Sequence, residues 1–244
     1  AQNIIVDASA PALPTISSAS LTNDTTPVVS GTAEVGATIT AVIAGATYTT
    51  TATEGSWTID TGSAEVVSGA LSVTANGTNS VSVTATDAAG NVSAAGTQTL
   101  TVDTQAPTVT ITDNASSTTN GDITFTMTFS EAVSGFAASD ITVANGTAGT
   151  FTQTGEATYT LVVTPATNTA GNVTVDIAGA IATDAAGNSN TAATQATQLI
   201  DTAAPSAPTI ASISTPNSDT TPTISVTAEA NSTVTIYVNG ELLG

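Results

Sequence analysis

The chain has 244 residues, 19 of them Asp or Glu and none of them Lys, Arg, His or Cys, so its formal net charge is −19. That composition removes the imidazole base, the thiolate nucleophile, the Schiff-base lysine and the usual zinc ligands, and it leaves no cationic footprint for nucleic acid or an anionic membrane. Carboxylates, hydroxyls and amides remain, and these suit calcium far better than covalent catalysis.

Apolar residues reach 40% but aromatics only 3%, and Ala and Val carry much of the apolar count, so a core built of such small side chains gains less per residue than one of Leu or Phe. Mean hydropathy is +0.25, too apolar for a disordered chain. No run of about 18 apolar residues exists to span a membrane. No signal peptide opens at Ala1, and the expectation is a mature or excised fragment.

In chain order, Val6-Asp-Ala-Ser-Ala-Pro11 comes first, then Asn23-Asp-Thr-Thr-Pro ending at Glu34, then an alternating run at Thr38–Ile43. Turn signals at Val35-Gly36 and Glu54-Gly55 flank that run, and Trp57, the single tryptophan, is expected to plug a core. Ile59-Asp-Thr-Gly-Ser63 matches the aspartic protease signature, but one copy without a second half-motif reads as chance. A second alternating run at Ser80–Ala85 follows the Asn76-Gly77 turn, and Asp87-Ala-Ala-Gly-Asn91 closes the unit.

The pattern then restarts at Val102-Asp-Thr-Gln-Ala-Pro107, with alternating runs at Ile123–Phe129 and Thr158–Val163, an Asn145-Gly146 turn between them, and Asp184-Ala-Ala-Gly-Asn188. It restarts again at Ile200-Asp-Thr-Ala-Ala-Pro205, and Ser218-Asp-Thr-Thr-Pro ending at Glu229 repeats the early motif. Asp7, Asp103 and Asp201 thus mark a repeat of about 97 residues. Runs of period two with one hydroxylic face predict half-buried strands, about seven per unit.

The prediction is an all-β chain of tandem immunoglobulin-like β-sandwich domains in an elongated array. Residues 1–102 form one domain, 103–200 a second of a sister subtype, and 201–244 an incomplete third with its first strands only.

Asp-x-x-Ala-Pro, Gly-Thr-Ala-Glu before a turn, and Asp-Ala-Ala-Gly-Asn together resemble the bacterial Ig-like repeats of giant secreted, biofilm-associated adhesins exported by type I secretion. The middle unit, with Phe129-Ser-Glu-Ala-Val133 and Ala138-Ser-Asp-Ile-Thr-Val143, resembles a sister subtype. The resemblance implies an extracellular, cell-surface structural protein whose partners are neighbouring repeats of the same or adjacent chains, with surface or matrix carbohydrate as a further partner. No glycine-rich calcium nonapeptides and no ligand-binding head are present.

In such a sandwich the unit start and the loops after the second and sixth strands share one end. Those positions hold Asp7, Glu34, Asp87 and Asn91 in unit one and Asp103, Glu131, Asp184 and Asn188 in unit two, while unit three has Asp201 and Glu229. The opposite end carries Asp24, Asp113, Asp122 and Asp219, and Asp24 is placed near the junction of units one and two, as an added ligand. Gathered carboxylates repel unless a cation neutralises them, and Ca2+ accepts six to eight oxygens in a flexible shell. The rival reading is charge that merely keeps a Thr-rich fibre soluble.

The expected function is a non-enzymatic, calcium-rigidified stalk for cell adhesion or biofilm formation. The alternative is a subunit of an extracellular filament or surface layer assembled by strand complementation. A carbohydrate- or ice-binding module is a third class, and catalysis the least favoured. One outcome follows from composition alone: trypsin leaves the denatured chain whole, which mass spectrometry of a digest checks, and any tryptic fragment contradicts it.

Overall fold

The computed structural model describes residues 6–212, 221 and 223–242. Asp219 and most of the repeated Ser218–Pro222 motif fall outside that range.

Unit one is built from β1 (Leu21–Thr22), β2 (Val28–Thr32), β3 (Thr38–Ile43), β4 (Ala46–Thr51), β5 (Ser56–Asp60), β6 (Gly77–Thr86) and β7 (Gly96–Val102). One sheet runs β1-β7-β6-β3-β4, and the other pairs β2 with β5. The extended segment before β1 lies beside β2, where Thr15 N–H donates to Thr32 O at 2.9 Å and Ser17 N–H to Ser30 O at 2.8 Å. Alternation sends Ile39, Ala41, Ile43, Val81, Val83, Leu100 and Val102 inward against Trp57 and Ile59 of the other sheet. The outward face is hydroxylic: Thr40 lies between Thr49 and Thr84, and Thr38 between Thr51 and Thr86.

Trp57 is 2% exposed and fills the core as its isolation in the sequence suggests. Its Nε1, like the Oη of the buried Tyr48, has no hydrogen-bond partner among the described residues. Burial pushes the Tyr48 phenol up. Two glycines let the N-terminal segment cross this core. A Cβ on Gly31 would strike Thr15 O and stand 2.8 Å from Trp57 Cζ2, and one on Gly96 would strike Pro14 O.

Unit two contains β8 (Val109–Asp113), β9 (Ile123–Phe129), a 3-10 turn at Ala138–Asp140, β10 (Ile141–Ala144), β11 (Gly146–Gln153), β12 (Thr158–Pro165), β13 (Ala170–Ile177) and β14 (Ala196–Asp201). Its sheets run β11-β12-β9-β8 and β10-β13-β14, the four-plus-three arrangement of a constant-type Ig sandwich. The core gains an aromatic knot. Phe136 meets Phe129 at 5.1 Å and Tyr159 at 5.0 Å, both edge to face, and Phe151 stacks on Tyr159 at 5.7 Å. Each such pair adds about 0.5–1.5 kcal/mol beyond its buried area.

The two subtypes differ in where the fourth strand goes. In unit one, Ala44 (φ 44°) and Gly45 (φ 90°) make a two-residue turn with both central residues left-handed. That turn matches the twist of a hairpin, so β4 folds back on β3. In unit two a single residue, Asn145 (φ 57°), separates β10 from β11, and its Nδ2 donates to Asn172 O at 2.8 Å. One residue cannot close a hairpin, so β11 leaves for the other sheet and pairs with β12.

In the third segment β15 (Thr209–Ile210) pairs with β16 (Val226–Thr227), and β17 (Tyr237–Val238) with β18 (Glu241–Leu242). An apolar groove of about 220 Å³ opens between Ile210, Ile224, Val226, Ile236 and Tyr237. Ile210 is 67% and Tyr237 65% exposed, so no layer covers these side chains among the described residues.

The glycine crossing yields a stability test. Gly31→Val overfills the contact with Thr15 and Trp57 and costs about 1–3 kcal/mol, or roughly 4–8 °C of melting temperature per kcal/mol for a domain of this size. Calorimetry checks it, and an unchanged unit-one transition refutes the close-packing account.

Candidate metal centre at the first junction

The three unit-start aspartates behave alike. Asp7, Asp103 and Asp201 each accept, through one carboxylate oxygen, the N–H two residues on, from Ser9 at 3.0 Å, Gln105 at 3.0 Å and Ala203 at 3.1 Å. This Asx turn bends the chain into the following proline stretch and leaves the second oxygen clear.

The Asp-Ala-Ala-Gly-Asn loops are near copies. Asp184 Oδ1 accepts from Gly187 and Asn188 N–H, each at 2.8 Å, and its Oδ2 from Asn188 Nδ2 at 2.8 Å. Asp87 is held the same way by Ala89, by Asn91 N–H and by Asn91 Nδ2. The glycine takes a left-handed conformation in both, at φ 92° in Gly90 and 96° in Gly187. Each loop then clasps the unit start: Asn91 Nδ2 donates to Asp7 O at 3.2 Å, and Asn188 Nδ2 to Asp103 O at 2.8 Å.

Unit two adds Glu131. Ser134 and Thr183 exchange N–H to O bonds of 2.7 and 3.0 Å, which pins the loop after β9 to the Asp184 loop. Oxygens of Asp103, Glu131 and Asp184 consequently lie within 4.8 Å of one another, the group of three acids that closes in this way among the described residues. In unit one, β2 runs straight into the tight Glu34-Val35-Gly36 turn, closed by Ala37 N–H to Glu34 O, and Glu34 stays exposed, outside any such group. Asp7, Asp87 and Asn91 assemble there without it. In the third segment Glu229 turns onto Ser206, whose N–H it accepts at 3.0 Å, and does not meet Asp201 in such a group.

Asp24 accepts from its own Thr26, through N–H at 2.7 Å and Oγ1 at 2.9 Å. Its neighbour Asn23 stands close to unit two, where a Cβ built on Gly187 would lie 3.6 Å from Asn23 Nδ2. Asp60 of the Asp-Thr-Gly motif closes its own turn, accepting from Gly62 N–H at 3.0 Å and Ser63 Oγ at 2.8 Å.

The charges at the centre are unequally met. Burial, with Asp184 6% exposed, would raise its carboxyl, but the Asn188 amide and the N–H groups of Asn188, Gly187 and Ala186 outweigh that and hold it below the usual aspartate range. The Asn91 amide likewise lowers Asp87. Glu131 receives no hydrogen bond among the described residues, and burial, then the charges of Asp184 and Asp103, push it up. Three carboxylates thus meet where the nitrogen donors serve only the aspartates. That donor set, hard and all-oxygen, fits Ca2+.

The junction uses residues that motif reading passed over. Asn76 Oδ1 accepts from Thr104 N–H at 2.7 Å and Thr104 Oγ1 at 3.1 Å, and Asp103 N–H donates to Thr22 O at 2.9 Å. The Asn-Gly pair signalled only a turn; its reach to Thr104, 28 residues on, leaves no local trace.

Fold and junction together define a tandem of Ig-like sandwiches. Residues 14–104 and 103–200 match two family models, each described as a bacterial Ig-like domain. The chain belongs to the bacterial Ig-like domain family, with two such domains in succession. No curated protein matches it in sequence.

Among solved structures it is similar to a tetra-tandem repeat in the extending region of a large adhesion protein, with 21% identity, coverage of 84% of this chain and 52% of that one, and a TM-score of 0.34. It is similar also to a 1.5-MDa bacterial ice-binding adhesin, with 24% identity, 77% and 64% coverage and a TM-score of 0.34. A third is InvD of Yersinia pseudotuberculosis, with 16% identity, 88% and 68% coverage and a TM-score of 0.35. The chain spans about half the length of the first of these. No helix among the described residues is long and apolar enough to cross a membrane.

The raised Glu131 carboxyl gives a signed pH test. In the absence of a cation the native state binds this proton more tightly than the unfolded chain, so the contribution to stability falls as pH rises from about 4.5 through the raised value. Asp184 acts oppositely: its contribution is present above 3.8 and is lost as pH falls through its lowered value. In EDTA, Glu131→Gln therefore melts higher than the parent at pH 7, and the advantage shrinks toward pH 4. Calorimetry across that range checks it; an advantage independent of pH assigns the effect to something other than charge.

Proposed function

We propose that this chain is a spacer segment of a bacterial surface adhesin, secreted and extracellular, in which Ca2+ bound by Asp103, Glu131 and Asp184 stiffens the junction between the first two Ig-like domains. The observation that carries the reading is Glu131: a half-buried carboxylate beside two others, with no cationic side chain in the whole sequence to neutralise it. An external divalent ion supplies the missing charge. Asn188, spanning Asp184 Oδ2 and Asp103 O, orients both aspartates from behind. The unit-one residues Asp7, Asp87 and Asn91 form the same frame with one acid fewer, and Asp201 and Glu229 await a partner loop; both are weaker candidates for the same ion.

The ion acts on the linker because Asp103 belongs to both domains. Its N–H is bonded to Thr22 of the first sandwich and its carbonyl to Asn188 of the second. With Ca2+ its carboxylate is fixed as well. Without Ca2+ the three charges repel within about one Debye length, roughly 8 Å at physiological salt, and the linker loosens. Calcium at 100-fold its Kd stabilises the bound form by about 2.7 kcal/mol per site. Small-angle scattering is expected to show a smaller maximum dimension in EDTA than in Ca2+, with the strand content of each sandwich unchanged by circular dichroism. Asn188→Ala is expected to weaken calcium binding about 10–100-fold by titration calorimetry. Identical scattering with and without EDTA overturns the stiffening role.

The apolar groove of the third segment favours a second reading, in which 201–244 is an incomplete Ig-like domain whose layer is completed by strands of another molecule. Light scattering separates the two, since strand donation between copies gives a concentration-dependent rise in mass and a simple spacer does not.

A further inference from the structure

In each sandwich the last strand is joined by the same bonds to a segment near the start of the domain, β1 in unit one and, in unit two, the Ser117–Thr119 segment that follows β8. In unit one, β1 runs parallel to β7, with Leu21 opposite Thr101 and Thr22 opposite Val102. Thr101 N–H donates to Ser20 O at 2.8 Å, Asp103 N–H to Thr22 O at 2.9 Å, and the Gln98 side chain donates from Nε2 to Ser18 O at 3.1 Å. In unit two, Thr119 lies parallel to Ile200. Asp201 N–H donates to Thr119 O at 3.0 Å, Thr119 N–H to Leu199 O at 3.3 Å, and Gln198 Nε2 to Ser117 O at 2.7 Å. Glutamine and backbone acceptor keep the same offsets in both: Gln98 to Ser18 with Thr101 to Ser20, and Gln198 to Ser117 with Asp201 to Thr119. Gln198 is 8% exposed and hence a buried polar side chain spent on this contact.

Parallel pairing of these two strands has a mechanical meaning. A pull on the chain ends draws the entering strand toward its own N-terminus and the leaving strand toward its own C-terminus. Because the strands are parallel, these displacements are opposite along a shared axis, and every bond between them is strained at once. Antiparallel neighbours pulled at one end would instead open one bond at a time. The entering chain meets the bonds of Thr15 and Ser17 to β2, or of β8 to β9, before this contact. The strands between β1 and β7, or between Thr119 and β14, are loaded only when the contact fails. The glutamines add a bond from a side chain anchored on the leaving strand to the backbone of the entering one.

We propose that each Ig-like domain of this chain carries tension through a parallel-strand shear clamp, β1 against β7 in unit one and the Ser117–Thr119 segment against β14 in unit two, with Gln98 and Gln198 as side-chain cross-links. Only the source of the tension rests on the spacer reading. The clamp uses no ion, and so survives the failure of the calcium centre.

The chain's lack of cysteine makes the test clean, because introduced thiols are unique handles. The whole chain is stretched in a force clamp, once between its two ends and once between Glu54→Cys, in the turn before β5, and the C-terminal end. The second geometry bypasses β1. Both are run in EDTA and in Ca2+. Unit one is expected to unfold more slowly at the same force when the ends are pulled. Gln98→Ala is expected to speed end-to-end unfolding of unit one about fivefold, the effect of losing one hydrogen bond, while leaving unit one unchanged in the Glu54 geometry. Gln198→Ala is expected to speed unit two about fivefold in both geometries, which load that domain alike, and an unchanged unit-two rate overturns its role. Equal unfolding rates for unit one in the two geometries overturn the clamp. Equal acceleration by Gln98→Ala in both geometries makes that glutamine an ordinary structural contact and overturns its role as a cross-link.

Discussion

A chain of −19 without a single cationic side chain must satisfy every carboxylate with N–H and O–H donors or with ions from outside. The structure is arranged around that constraint. Asp7, Asp103, Asp201, Asp113 and Asp24 take the N–H two residues on; Asp87 and Asp184 take the loop that follows them; Asp122 takes the hydroxyl of Thr164. Local capture of this kind needs no partner of opposite sign and places the acids in turns, at the ends of the sandwiches. The strand faces are left to threonine and serine, which pair across the sheet as neutral groups and impose no like-charge repulsion.

Among the described residues, one half-buried group of acids outruns its local donors. Asp103 and Asp184 have their N–H groups, but Glu131 stands beside them with none, brought there by the Ser134 and Thr183 exchange. The difference between the two domain subtypes is thus electrostatic as well as topological. The loop after the second strand is short and exposed in unit one. In unit two it is long and pinned, and an acid is carried into a position that the chain itself does not neutralise.

Much of this was legible from the residues. The alternating runs at Thr38–Ile43 and Ile123–Phe129 coincide with β3 and β9 because strict period two, bounded by turn residues, leaves little freedom of register. The Asp-Ala-Ala-Gly-Asn loops were visible because the glycine and both polar ends are local requirements. The exchange of sheets by the fourth strand was not, since it depends on whether one or two residues separate the strands. Nor did the motif equivalence of Glu34 and Glu131 reveal that only the latter meets other acids. That depends on Ser134 and Thr183, which are 49 residues apart and carry no signature. Asn76, Gln98 and Gln198 escaped for the same reason: an amide that reaches a distant backbone looks in sequence like any polar residue on a strand or turn.

The acids gathered at the first junction, with the asparagine that braces them, all lie between Asp103 and Asn188, within a single repeat. The preceding domain contributes little more than the Thr22 carbonyl, the Asn76 side chain and the bulk of Asn23. A repeat of this subtype therefore brings most of its own joint with it. A unit of this kind added to or removed from a tandem array needs no compensating change in its neighbour, so that the length of such an array is adjusted by copy number instead of by substitution.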